Sequence, residues 1–262
     1  MTRERIVGVA APTLVALAFL ALWEAVVRAN AIPPYILPGP VRVAETLWTD
    51  GPSLAGALWV TLKTTFAALA AATALGLAIA MVLAQSRLIE RSFYPYLVVL
   101  QVTPIVAIAP LIIIWVDDVF ASLLICAWIV AFFPVVANTT LGLNSADAGL
   151  AELFRLYGAT RWQALALLRL PTALPYFLAG VRISGGLALI GAVVAEFVAG
   201  SGGTASGLAF RILESGYRLQ TARLFAALLL LSVAGIAIHA ALGLCARLIL
   251  RRWHESALAR EP

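Results

Sequence analysis

Six apolar runs, at about 7–27, 58–84, 94–116, 119–141, 177–199 and 224–250, each reach the length a helix needs to cross a bilayer. Roughly 20 apolar residues at 1.5 Å per residue match a hydrocarbon core about 30 Å thick. Six such helices take up about 120 residues, and the connections between them are too short for a folded extramembrane domain. The expectation is an all-α, polytopic membrane bundle of six transmembrane helices, a single domain over 1–262. Composition agrees: 63% of the chain is hydrophobic and 12% charged, against about 45–50% and about 25% for soluble domains. That excludes a soluble globular enzyme. The first run is longer than the roughly 7–15 residues of a signal-peptide core, so it reads as an uncleaved span.

The positive charges say how the bundle is oriented. All basic residues but Lys63 are arginine, and most flank the apolar runs, where they set topology rather than bind nucleic acid. With the N-terminus inside, the inner segments hold Arg3, Arg5, Arg87, Arg91, Arg155, Arg161, Arg169, Arg247, Arg251, Arg252 and Arg260. The outer ones hold Arg28, Arg42, Arg211, Arg218 and Arg223. Eleven against five places both termini in the cytoplasm. Cys126 and Cys245 lie in separate apolar runs and suggest neither a disulfide framework nor a metal site. His239 and His254 have no neighbours at metal-ligand spacing and read as incidental.

The connections differ in character. Residues 29–57 include the proline-dense stretch 32–40, which cannot be helical and reads as an extended outer strap. Asp117 and Asp118 make a tight outer turn, and the Gly/Ser stretch 200–207 a mobile outer loop. No lysine follows that stretch as a phosphate loop requires.

The inner segment 143–176 is far longer than a turn needs. Asp147 is placed to cap a helix over 148–157, which Gly158 ends in the left-handed conformation. Thr160 and Gln163 form a capping box that opens a second short helix, ended by Pro171. The first helix offers Leu150, Leu153, Phe154 and Tyr157, and the second Trp162, Leu165 and Leu168, at helical spacing. Such a pair either lies on the bilayer or docks into a groove on a second polypeptide, and the pattern is compatible with both.

Polar groups inside the runs are candidates for lining a path, since charge at membrane depth costs about 2.5–3.5 kcal/mol on insertion scales. Lys63, Gln101, Thr103, Asn138, Thr139 and Glu196 form that set. Lys63 is about one turn inside the second run, where its stem can snorkel or its charge can favour an anionic solute. Glu24, Glu196 and Arg182 lie near run ends, within reach of interfacial water. Pro104, Pro110 and Pro134 interrupt helix ladders and imply that the third and fourth spans are interior. Gly180, Ser184, Gly185, Gly186 and Gly191 permit close helix approach in the fifth.

Glu152, Gly158, Leu168, Leu170 and Pro171 fall at the spacing of the EAA loop of bacterial ATP-binding-cassette importer permeases: Glu-Ala-Ala, three residues, Gly, nine residues, Ile, one residue, Leu-Pro. Leu153 and Phe154 stand where that family has alanines, and Leu168 where it has isoleucine. Leu37-Pro38-Gly39-Pro40, Val102-Thr103-Pro104, Ala109-Pro110-Leu111, Phe133-Pro134 and Asn138-Thr139 resemble the nitrate/sulfonate/taurine branch, whose Gly-Ile-Gly-like turn is replaced here by Asp117-Asp118. The resemblance covers nearly the whole chain.

It implies the type I importer transmembrane fold in the bacterial cytoplasmic membrane, with 143–176 as a cytoplasmic coupling loop. It implies two cytoplasmic ATPase subunits carrying ATP and Mg, a second permease subunit that is a copy or a close relative, and a periplasmic or lipid-anchored substrate-binding protein. This chain itself would bind no cofactor and catalyse nothing. The coupling residues carried over are Glu152, Leu153, Phe154, Tyr157, Gly158, Ala159, Thr160, Arg161, Leu170 and Pro171, and the solute is small and polar, of the nitrate, sulfonate, taurine, pyrimidine or vitamin-precursor kind. An ion-gradient-driven transporter or channel is the competing class. It predicts a charged midplane constellation with repeat symmetry, and neither is visible. A membrane-embedded enzyme finds no motif here.

Overall fold

Small residues decide how the bundle closes. The computed structural model describes residues 3–200 and 206–251, with side chains from Ala10 onward. Its most extensive helix pair is α6 (Val119–Asn144) with α9 (Leu170–Ala199). A Cβ on Gly180 would meet the Pro134 carbonyl oxygen at 2.7 Å, and one on Gly191 would meet the Ala127 Cα at 2.8 Å. Between these points Ser184 Oγ donates to the Ala131 carbonyl at 2.6 Å. The two backbones are therefore in direct contact, as small-residue interfaces permit. α3 (Gly51–Leu83) completes this interior, burying Ala68, Ala72 and Ala80.

Among the described residues, five helices are long and apolar enough to span a membrane, or six when the bent pair α4 (Arg87–Val102) and α5 (Ile105–Trp115) counts as one broken span. α1 (Arg3–Ala29) stands apart, touching the rest through Trp23 on Phe225 and through Glu24. α11 (Thr221–Leu250) packs on α9, and the short helices α2 (Pro40–Thr49) and α10 (Leu208–Tyr217) cover one end of the bundle. Val43, Leu54, Leu208, Ile212 and Ala226 form the core at that end. Ala80, Leu143, Leu165 and Ala173 close the other.

Several expectations need correcting. The outer strap is confined to residues 30–39. Pro40 begins α2 at a position where a missing N–H costs nothing, and α3 starts at Gly51 rather than near 58. The strap also folds back, with Ile36 N donating to Pro33 O. Lys63 is consequently three turns, not one, inside its helix.

The third span is not one helix. Thr103, extended ahead of Pro104, breaks it with a 95° bend, since a residue preceding proline avoids the α region. Pro110 and Pro134 remain inside helices. α4 has no buried residue, so of the third and fourth spans α6 is the interior one, with α5 burying only Ala109 and Ile112.

Pro171 does not end a helix either. A π turn over Leu165–Arg169, in which Leu170 N reaches back to Leu165 O, widens the ladder and takes the proline ring without a break. The second short helix is thus the foot of one 39-residue helix, Arg161–Ala199.

The contacts yield a paired prediction. Gly180→Ala should destabilise the bundle by about 1–3 kcal/mol, because backbone blocks the new methyl group. Gly186 meets nothing within 4 Å in this chain, so its close approach is not to a neighbouring helix of the same subunit. Gly186→Ala should be neutral or stabilising by up to about 1 kcal/mol. Thermal unfolding of the two variants in the same detergent separates them.

Candidate functional site

The elbow between α6 and α9 is built by local capping. Asp147 accepts from Leu150 N at 2.9 Å and starts α7 (Ala148–Leu156). Gly158, at φ +71°, ends it in a Schellman turn: Gly158 N donates to Arg155 O at 3.1 Å and Ala159 N to Phe154 O at 2.9 Å. Two residues on, Thr160 Oγ1 accepts from Gln163 N at 3.3 Å while Gln163 Oε1 accepts from Thr160 N at 2.7 Å. That capping box opens α8 (Arg161–Ala164), which runs through the π turn into α9. The joint is therefore stiff on both sides of one glycine.

The two apolar faces end differently. Leu165 is buried against the ends of α3 and α6, Leu168 is buried as well, and Arg169 Nη1 donates to the Ala84 carbonyl at 2.7 Å. Leu150, Leu153, Leu156, Tyr157 and Trp162 stay exposed, Tyr157 at 83%. Behind them lies a cavity of about 300 Å³ lined by Phe154, Arg155, Ala159, Arg161 and Arg169. Glu152 pairs with Arg155 at 3.1 Å in the open, where such a pair contributes little.

At the opposite end, two glutamates cap helices that belong to other segments. Glu196, in the last turn of α9, is 3% exposed and accepts on Oε2 from Ala209 N at 3.0 Å and Thr61 Oγ1 at 3.1 Å. Thr61 Oγ1 in turn accepts from Leu208 N at 2.8 Å. The first amides of α10 thus rest on α3 and α9 together. Gly207 lies directly on the Glu196 carboxylate, with no room for a Cβ. Glu24 of α1 does the same for α2, accepting from Val41 N at 3.3 Å and from Arg28 Nε at 2.6 Å, with Gly39 pressed against it.

Further along α10, Glu214 holds Arg211 and Arg218 at 3.0 and 2.9 Å. The hydrogen bond from Arg211, helped by the charges of Arg218 and Arg223, outweighs desolvation and lowers the Glu214 pKa. A depressed carboxyl pKa means the tie is complete at neutral pH and lost only as pH falls through that lowered value.

A family model described as the binding-protein-dependent transport system inner membrane component matches residues 72–254. The chain belongs to that family. The permease is 37% identical over 241 residues to the riboflavin transport system permease protein of Chloroflexus aurantiacus, covering 90% of this chain and 87% of that one. It is 32% identical over 226 residues to the formylaminopyrimidine transport permease protein of Halalkalibacterium halodurans, covering 86% and 88%. A crystal structure of an amino acid ABC transporter with histidines superposes with a TM-score of 0.62 at 19% identity, over 79% of the permease and 97% of that chain. The shared fold is that of type I importers. The permease is the membrane subunit of an ATP-driven, binding-protein-dependent importer, and its family consists of permeases rather than enzymes.

The elbow residues expected from sequence come together in space, except that Leu170 and Pro171 sit at the foot of α9 beside a separate groove with Ile249 and Leu250. The polar candidates in the spans scatter. Lys63 Nζ stands 4.7 Å from the centroid of the Phe120 ring rather than simply snorkelling. Gln101 is exposed at the end of α4, and Thr103 Oγ1 donates to Val99 O of its own helix. Asn138 Nδ2 and Thr139 Oγ1 likewise bond Pro134 O and Val135 O, and Thr139 is fully buried. Glu196 is buried as well, not in contact with interfacial water.

Ser206 and Gly207 are buried, so the end of the Gly/Ser stretch is anchored, while 201–205 lie outside the described residues. His254 also lies outside them. His239 is not incidental, since Arg182 Nη2 donates to its Nε2 at 2.7 Å.

Gly207→Ala should unseat α10, and amide exchange across Leu208–Tyr217 should rise by about tenfold or more as its buried caps are lost. Glu196→Gln keeps an acceptor and should show a smaller rise. Hydrogen exchange by mass spectrometry checks both, with elbow peptides as the unchanged reference.

Proposed function

We propose that the permease is driven through its elbow. α7 and the exposed apolar groups beside it seat in a groove on a cytoplasmic ATPase subunit, and Gly158 passes the displacement into the Arg161–Ala199 helix. The observation that carries this reading is the pairing of an uncovered apolar α7 with a 39-residue helix through two interlocking caps. A stiff lever attached to an unsatisfied docking face suits helix-in-groove recognition by a moving partner. From Arg161 to Glu196 the lever runs about 50 Å at 1.5 Å per residue. ATPase closure would therefore reach Glu196, and with it α10 and Thr61, at the far end.

In this reading both termini and the elbow are cytoplasmic, in line with the arginine asymmetry, and α2 and α10 face the incoming binding protein. Two permease subunits, identical or closely related, enclose the path. ATP and Mg are held by the ATPase, and this chain supplies the conduit. The solute is small and polar, a class that spans the riboflavin, formylaminopyrimidine, taurine, sulfonate and nitrate named for relatives.

Gly158→Val tests the coupling. A β-branched residue at φ +71° is strained by roughly 1–2 kcal/mol and shifts the joint. In proteoliposomes with ATPase and binding protein, ATP hydrolysis should persist while uptake falls by about tenfold or more, in keeping with a shift of roughly 1.4 kcal/mol. Tyr157→Ser should weaken ATPase co-purification. Full uptake by Gly158→Val, or accumulation by vesicles holding only this chain, would overturn the proposal.

A further inference from the structure

Arg182 and His239 are joined across the α9–α11 groove at 2.7 Å, well inside two spanning helices, and the importer mechanism gives them no task. A guanidinium only donates, so His239 Nε2 is the acceptor in this contact. The pair carries one positive charge, and among the described residues no carboxylate pairs with it. Arg182 Nε is enclosed without a partner. A Cβ added to Gly243 would lie 3.3 Å from the guanidinium carbon, so this glycine gives the flat head room to lie against α11. The side chain is held sideways by histidine.

Depth narrows what could neutralise that charge. Arg182 lies 17 residues before Ala199 and His239 lies 18 after Thr221. Both are about 26 Å from the α10 end of the bundle. With a hydrocarbon core about 30 Å thick, the pair stands a few Å inside its elbow-side edge, within reach of a headgroup phosphate. His239 is exposed, and Ile236, Val233 and Leu229 continue from it along α11 toward the membrane middle, all exposed and apolar. A donor-rich cation just beneath the headgroups, followed by an apolar stripe running to the bilayer centre, has the layout of a phospholipid.

We propose that Arg182 and His239 form a binding site for the phosphate of an anionic phospholipid, whose acyl chain lies along Ile236, Val233 and Leu229. The pair's depth is the same whichever side of the membrane the elbow faces. With the elbow cytoplasmic, the lipid belongs to the inner leaflet.

The test uses the purified transporter in phosphatidylcholine nanodiscs containing a small fraction of phosphatidylglycerol, with retained lipid counted by native mass spectrometry. The intact protein should retain phosphatidylglycerol in preference to phosphatidylcholine. Arg182→Met should lower retention by about tenfold or more, as expected for loss of charged hydrogen bonds. Arg182→Lys, a point charge without the fork, should retain an intermediate amount. His239→Phe should lower retention by freeing the guanidinium, and His239→Gln, still an acceptor for Nη2, should preserve it. The lysine and histidine variants decide the matter if Arg182→Met does not fold. Unchanged retention in folded Arg182→Met would overturn the proposal, as would displacement of the lipid by millimolar inorganic phosphate, which marks a free-anion site. Loss of uptake in Arg182→Lys with lipid retention intact would overturn it too, placing the pair on the solute path instead.

Discussion

A peptide group in hydrocarbon has no water to turn to, so each departure from regular helix must be satisfied by protein or placed at an end. This constraint orders the whole chain. The sharp bend at Thr103–Pro104 lies between α4 and α5, where a hydroxyl from Thr103 meets the Val99 carbonyl. The π turn at Leu165–Arg169 lies at the foot of α9, where Arg169 reaches the carbonyl that ends α3. Inside the bundle, by contrast, α6 and α9 run unbroken, and their contact is made by absent side chains: Gly180, Gly191 and the small Ser184. Burial of apolar area gives little preference between helix neighbours in lipid, so the fit of backbone on backbone selects this pairing.

How much of this was readable in the sequence follows from the range of each interaction. Asp147, Gly158, Thr160 and Gln163 act within three residues of themselves, and every cap they suggested is present. The apolar runs were equally plain, because length alone defines a span. Pro171 was misread because a π turn compensates a proline without leaving any trace in composition. Three prolines looked alike in the third and fourth spans, yet only Pro104 breaks a helix. Its neighbour Thr103 is extended, whereas Ala109 and Phe133, ahead of the other two prolines, stay helical within α5 and α6, a difference that composition does not carry.

The contacts that escaped sequence reasoning join residues far apart in the chain. Thr61 and Glu196 are 135 positions apart, and Arg182 and His239 are 57. Each residue taken alone had an ordinary explanation, such as a hydroxyl in a helix, an acid near an interface or an isolated histidine. Only the relative rotation of α3, α9 and α11 brings them together, and no local rule encodes a rotation. Gly207 was the available clue. A glycine just ahead of a helix, where no positive φ demands one, indicates that something occupies the place of its side chain.

Gly39 repeats that arrangement, and the repetition explains how a bundle with short connections organises the end that carries α2 and α10. In both places a spanning helix ends near a glutamate, the chain turns back, and a glycine lets the first amides of a short helix close on the carboxylate. A helix N-terminus carries partial positive charge, so the carboxylate satisfies donors that would otherwise be unpaired. α2 is thereby tied to α1, and α10 to α9 and α3. The two ties differ in exposure: Glu24 shares its charge with Arg28 near solvent, whereas Glu196 is enclosed and accepts from the Thr61 hydroxyl and the Ala209 N–H. A buried carboxylate held by few donors is more sensitive to small displacements, because each lost hydrogen bond leaves charge or dipole unmatched in a medium that cannot solvate it. Glu196 rides on the same continuous helix that begins at the elbow, so under the proposed coupling a movement at the elbow would reach this enclosed contact.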